Sequence, residues 1–212
     1  MLFRIVSNEE LLSLLYTREI NLRRRFDEVL HELQQARDDL AFHEQVARRI
    51  EDADDGNNRS EDHIGLTTCA TRSGDVLRRQ ANELKSILLG FDGIIRQLIN
   101  NSVPPAQLSE TMTTNIVTPL EQIVEHELPR ADRTLSRFRV AATSRQPVAD
   151  LVVESELEVS RVIAKLKLVL QNVKSMAEFH EALSDLKALL EDQQRVLNDT
   201  KQLKRRRLIE DL

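Results

Sequence analysis

Four of the five histidines in this 212-residue chain stand directly before a glutamate: His31-Glu32, His43-Glu44, His126-Glu127 and His180-Glu181. An imidazole beside a carboxylate is the raw material of metal sites and of general acid–base pairs. Spacing decides whether that material is assembled. A zinc-protease helix requires His-Glu-x-x-His, so that both rings share one face, and none of the four pairs continues that way. A di-iron carboxylate bundle requires Glu-x-x-His on two helices plus two further glutamates, and Glu28-x-x-His31 supplies the pattern only once. His43 and His180 fall on or near apolar seams of two different helices. The antiparallel pairing expected of those helices separates them by roughly 30 Å, too far to share a metal or a haem. They read as seam histidines that find a carboxylate partner.

The remaining chemistry-bearing residues are equally scattered. Residues 51–62 place Gly56 sixth, as in a calcium loop, but Ala53 and Arg59 occupy ligand positions and Asp62 replaces the bidentate glutamate. Cys69 is the single cysteine, with Arg72 three residues on and no catalytic partner pattern; it reads as incidental and excludes an internal disulfide. There is no glycine-rich phosphate loop and no Gly-x-Ser-x-Gly. No catalytic residue, cofactor site or metal site is expected, and the chain reads as a non-enzyme.

Charge narrows the partners. The formal net charge of −5, with only seven aromatic residues, argues against a nucleic-acid binder, which draws affinity from a basic face and stacking platforms. One basic cluster, Lys201, Lys204, Arg205, Arg206 and Arg207, lies near the C-terminus and is diluted by Glu210 and Asp211, and Arg23-Arg24-Arg25 forms another. Both read first as solvated helix faces. The terminal cluster is also a candidate contact for anionic lipid or for an acidic patch on a partner. No apolar run reaches the length of a membrane span, and the compartment stays open.

The elements that must carry these residues follow from the punctuation. All five glycines and all five prolines lie between Gly56 and Pro147, so two long uninterrupted segments flank a divided middle. In the first segment Leu15, Leu22, Phe26, Val29, Leu33, Ala36, Leu40, His43, Ala47 and Ile50 recur at spacings of four and three after one step of seven. That is a heptad seam. The same rhythm continues through Leu77–Leu98; Leu108, Met112, Ile116, Leu120, Val124 and Leu128 recur at steps of four before Ala131, Leu135, Phe138 and Ala142; and apolar seams at helical spacing run through Val152–Leu197. This patterning predicts an all-α fold: an antiparallel up-down-up-down four-helix bundle with helices near 8–55, 72–101, 105–143 and 148–209. Residues 56–73, rich in Gly, Asn, Ser and Thr, read as the longest connection. Pro119 and Pro129 are expected to kink or break the third helix. Residues 1–6 read as the tail of an upstream region or an added start, and residues 7–212 as a single domain.

Length arithmetic then predicts a stalk. The second and third helices span about 30 and 40 residues, whereas the first and last span about 48 and 62. The surplus of the outer pair is expected to run on together as a two-stranded antiparallel coiled coil. The later seam of the last helix, Met176, Leu183, Leu190 and Leu197 joined by Phe179 and Leu186, would otherwise face water. These four seam residues and the basic cluster at 204–207 are the candidate interaction residues.

The stretch from Leu11 to Phe26, Leu-Leu-Ser-Leu-Leu-Tyr-Thr-Arg-Glu-Ile-Asn-Leu-Arg-Arg-Arg-Phe, resembles a segment near the C-terminus of large uncharacterised proteins of planctomycete-type bacteria. The resemblance implies a helical domain ending a long, membrane-attached chain of unknown activity, and it carries over no functional residue. The expected function is a structural or interaction module that self-associates, as a homodimer, or docks a partner through its helix overhangs. The alternative is a sensory bundle like those of bacterial chemoreceptors, with Gly90, Gly93, Pro119 and Pro129 as switching points. A metal-binding bundle enzyme is a lesser alternative.

Overall fold

The computed structural model describes residues 8–52, 59–101 and 106–210, and every regular element among them is helical. By its contacts the chain divides into two compact units, Met1–Asn172 and Val173–Leu212. Three long helices are α1 (Asn8–Asp52, 45 residues), α2 (Arg59–Asn100, 42 residues) and α6 (Ala149–Glu210, 62 residues). Residues 106–143 make a fourth rod from three α-helical pieces, α3 (Ala106–Met112), α4 (Thr118–Gln122) and α5 (Leu128–Thr143), joined by π-helical turns at Thr113–Val117 and Ile123–Glu127. The expected tail at 1–6, and residues 53–58 and 102–105, lie outside the described residues.

Heptad spacing gives the first unit its core. Leu15, Glu19, Leu22, Phe26, Val29, Leu33, Ala36 and Leu40 form a buried row on α1, and Leu66, Ala70, Ser73, Leu77, Leu84, Ile87, Phe91, Ile94 and Leu98 form one on α2. Each fully buried Leu, Ile or Phe contributes about 1.5–3 kcal/mol. The two rows run antiparallel. Cys69 Sγ lies 3.8 Å from the Asp39 carbonyl, Arg25 Nε donates to Glu83 at 2.5 Å and its Nη2 to Ser86 at 2.8 Å, and Leu22 packs at Gly90.

α2 begins at Arg59, not near residue 72, which corrects the expected long connection. The hydroxyls of Thr67, Thr68 and Thr71 each donate to the carbonyl four residues back, at 2.8–2.9 Å, so they turn their side-chain donors inward on the helix instead of breaking it. Leu66, Cys69, Ala70 and Ser73 supply a buried face. At 42 residues against 45, α2 nearly matches α1, and the surplus expected of the first helix over the second is not observed.

Pro119 and Pro129 do not break their rod. Each occupies the second position of an α-helical piece that follows a π turn. In the wider turns the Thr118 and Leu128 amides donate five residues back, to Thr113 and Ile123, which accommodates rings that would clash with the carbonyl four residues earlier. Pro119 leaves the Asn115 carbonyl without its helical donor, and Asn172 Nδ2 of α6 donates to it at 3.0 Å. The rod ends in a Schellman motif: Gln146 N–H donates to Ala141 O at 3.0 Å, and Arg145 N–H to Ala142 O at 3.2 Å. Arg145 takes the left-handed position at φ 56°.

The first turn of α6 is capped from a distance. Glu51 Oε1, at the end of α1, accepts from the Val148 and Ala149 amides at 2.7 and 2.9 Å, a carboxylate at a helix N-terminus where the macrodipole favours it. From there Val152, Ser155, Val159, Val162, Leu166 and Val169 are buried. Arg137–Glu154 (3.2 Å), Arg130–Glu158 (2.9 Å) and the Lys165–Glu127 pair align this part of α6 antiparallel to the proline-containing rod.

Two glycines differ in what surrounds them. A Cβ at Gly90 would fall 2.5 Å from Leu22 Cδ2, in the core, whereas one at Gly65 meets nothing within 4 Å. Gly65→Ala is therefore expected to stabilise by about 0.5–1 kcal/mol through helix propensity. Gly90→Ala gains the same propensity but forces Leu22 out of place at a cost of about 1–3 kcal/mol, so it destabilises on balance; urea unfolding midpoints of the two variants should move in opposite directions. Arg145→Gly removes a left-handed penalty of about 1 kcal/mol and is expected to raise the same midpoint.

Candidate interaction site

The expected interaction residues belong to the second unit, Val173–Leu212, whose described structure is a single helix, the continuation of α6 to Glu210. No glycine or proline occurs from residue 148 onward, so nothing in the sequence interrupts it. Leu197 is exposed, at 53%. Met176, Leu183, Leu190, Lys204, Arg205, Arg206 and Arg207 have helical backbone, and their side chains lie outside the described residues. Two further apolar side chains, Leu189 at 61% and Val196 at 64% exposure, were not among the expected contacts. Each directly precedes a seam leucine, and the doublets Leu189-Leu190 and Val196-Leu197 are the signal that could have found them. Around them Arg195 Nη1 donates to Asp192 at 3.3 Å, and the Thr200 hydroxyl donates to the Val196 carbonyl at 2.8 Å. This surface offers apolar contact flanked by charge.

The first unit holds the groups that sequence reasoning weighed for chemistry. Among the described residues no three His, Cys, Asp or Glu side chains converge as a metal site would require. His43 Nδ1 lies 2.7 Å from the Asp39 carbonyl, and its ring meets Phe42 edge-on at 5.3 Å between centroids. Its partner is a backbone carbonyl four residues back, not the carboxylate expected. His31 pairs with Gln35 at 2.9 Å. Cys69 is buried, and burial pushes its thiol up to about 11. A thiol held that high stays protonated at neutral pH and is a poor nucleophile. An open concavity lined by Thr67, Thr71, Arg72, Asp75, Arg78 and Arg79 lies on α2, where Arg78 is engaged by Asp75 and Asp132, both at 3.1 Å.

Among the described residues of this unit, two carboxylates are buried. Glu158, 4% exposed, receives Arg130 at 2.9 Å and Arg161 at 2.5 Å. Glu19, 6% exposed, sits in the α1 apolar row between Leu15 and Leu22. Sequence reasoning passed over it, although the single step of seven in an otherwise four-three rhythm marks its slot. Burial raises the Glu19 carboxyl to about 7, against a smaller lowering by Arg23.

No protein-family model, no curated protein and no solved structure matches this chain. Among the described residues no helix is long and apolar enough to cross a membrane.

Glu19 makes stability depend on pH, and the direction follows from its raised value. The folded chain holds the Glu19 proton up to about pH 7, whereas the unfolded chain releases it near 4.5. Its contribution is therefore full below 4.5 and is lost as pH rises to about 7. Glu19→Gln is expected to abolish that loss and to exceed the parent at pH 8 by about 2–3 kcal/mol, with little difference at pH 4. Urea titrations at the two pH values measure it.

Proposed function

We propose that this chain is a non-catalytic structural and interaction module: a four-helix bundle in up-down-up-down order whose last helix extends as a self-associating stalk. The observation that carries the reading is the second unit. A helix in water whose Leu189, Val196 and Leu197 are more than half exposed has no core of its own, and a long isolated helix gains most of its stability from tertiary or quaternary packing of its apolar face. Met176, Leu183, Leu190 and Leu197 provide a seam at the seven-residue repeat of a coiled coil.

The bundle itself is supported by the antiparallel contacts of α1 with α2 and of the proline-containing rod with the early part of α6. The stalk differs from the one expected from length alone. In this reading the second strand of the stalk comes from a second copy. The module would terminate a larger protein, as the resemblance of the stretch Leu11 to Phe26 implies. A sensory bundle is the weaker alternative: Gly90 is closed by Leu22, and both internal prolines are absorbed by π turns.

Leu183→Glu combined with Leu190→Glu places two carboxylates on the seam. The double variant is expected to halve the mass measured by light scattering while its helical circular dichroism stays within about a tenth of the parent's. An unchanged mass would remove the self-association reading.

A further inference from the structure

The distribution of charge along the second unit says which partner strand it fits. From residue 178 to 192 the sequence carries Glu178, Glu181, Asp185, Glu191 and Asp192 against the single cation Lys187. From 195 to 207 it carries Arg195, Lys201, Lys204, Arg205, Arg206 and Arg207 against the single anion Asp199. The two blocks are nearly equal in length and meet at the uncharged Gln193-Gln194. The exposed apolar residues Leu189, Val196 and Leu197 surround that midpoint. The helix has no Gly or Pro to bend it, and roughly 45 Å of seam separates residue 178 from 207.

We propose that this segment pairs with the same segment of a second copy in antiparallel orientation, the acidic block of each lying along the basic block of the other, with the two-fold axis near Gln193. The proposal rests on the self-association reading above and adds the partner and its direction. In a parallel pair like charges would be juxtaposed over both halves; in an antiparallel pair every block faces its opposite. Charge complementarity of this kind selects orientation and partner more than it adds affinity. A two-fold pairing is also isologous and closed, so association stops at the dimer. The basic cluster thereby acquires an acidic surface to meet, on the other copy's helix.

Distance measurement in the full chain separates the arrangements. In a Cys69→Ser background, spin labels are placed through Gln193→Cys or Ser175→Cys, and label-to-label distances are read by pulsed electron resonance alongside the mass by light scattering. The antiparallel pair gives a 193–193 distance under about 20 Å and a 175–175 distance of about 55 Å. Short distances at both positions mean a parallel pair and overturn the proposal while leaving self-association standing. A dimeric mass with neither distance means another interface and has the same consequence. A monomeric mass overturns both readings. Should Cys69→Ser fail to fold, charge variants retaining Cys69 decide the matter. Replacing Lys204, Arg205, Arg206 and Arg207 by Glu is expected to weaken dimerisation about tenfold at low salt. Adding Glu178→Lys and Glu181→Lys in the same chain restores it to within about threefold, because these two positions face residues 205–208 across the axis and the reversed patches again complement each other antiparallel. Failure to restore overturns the proposal. So does a monomeric parent that sediments with phosphatidylserine vesicles and not with phosphatidylcholine vesicles, which would assign the basic cluster to a membrane surface.

Discussion

The fold depends on one constraint: a chain with six Phe, one Tyr and no Trp must fill its core with aliphatic side chains. Aliphatic residues bury enough surface only when they recur along a helix and meet a matching row on a neighbour. The α1 and α2 rows satisfy this, and their contact is tight enough that Leu22 occupies the space a side chain at Gly90 would need. Close approach, not conformational freedom, explains that glycine.

Polar groups inside such a seam are handled by two routes. Glu158 stays next to the core because two guanidinium groups surround it. Glu19 stands in the apolar row itself, and burial shifts its proton equilibrium toward the neutral form. A buried polar residue at a seam position is a known means of fixing register between helices, and Glu19 occupies that kind of slot. Backbone groups are satisfied with similar care. The carbonyl left orphaned by Pro119 receives the Asn172 amide, and the first amides at the start of α6 are met by Glu51.

Helix type and the long seams were legible because apolar periodicity reports burial directly. The run from Leu22 to Leu40 and the rows around Leu84 and Phe91 fall in the core as their spacing predicts. The start of α2 was not legible, since Ser and Thr are usual in loops. Here their hydroxyls bond back along the helix, and the buried face is carried by small residues such as Ala70 and Ser73, whose apolar signal is weak. Glu19 was hidden for the opposite reason, a charged residue in a slot where only an apolar one registers. The partner of His43 was missed because a carbonyl one turn back is invisible to a search for neighbouring carboxylates. For the interaction surface, the seam leucines were visible as a heptad, and the exposed Leu189 and Val196 beside them were not.

The π turns have a geometric consequence for the rod that contains them. Its buried residues Met112, Ile116, Leu120, Val124 and Leu128 recur at four consecutive steps of four. On a regular α-helix such a stripe would wind about 160° around the cylinder over those sixteen residues, carrying its last members to the opposite side. Turns closed five residues apart take up more chain per revolution and hold the stripe in line. The two prolines and the unusual apolar rhythm are thus a matched set, like the teeth and pitch of one screw. Removing either half would leave a thread that no longer engages its neighbours.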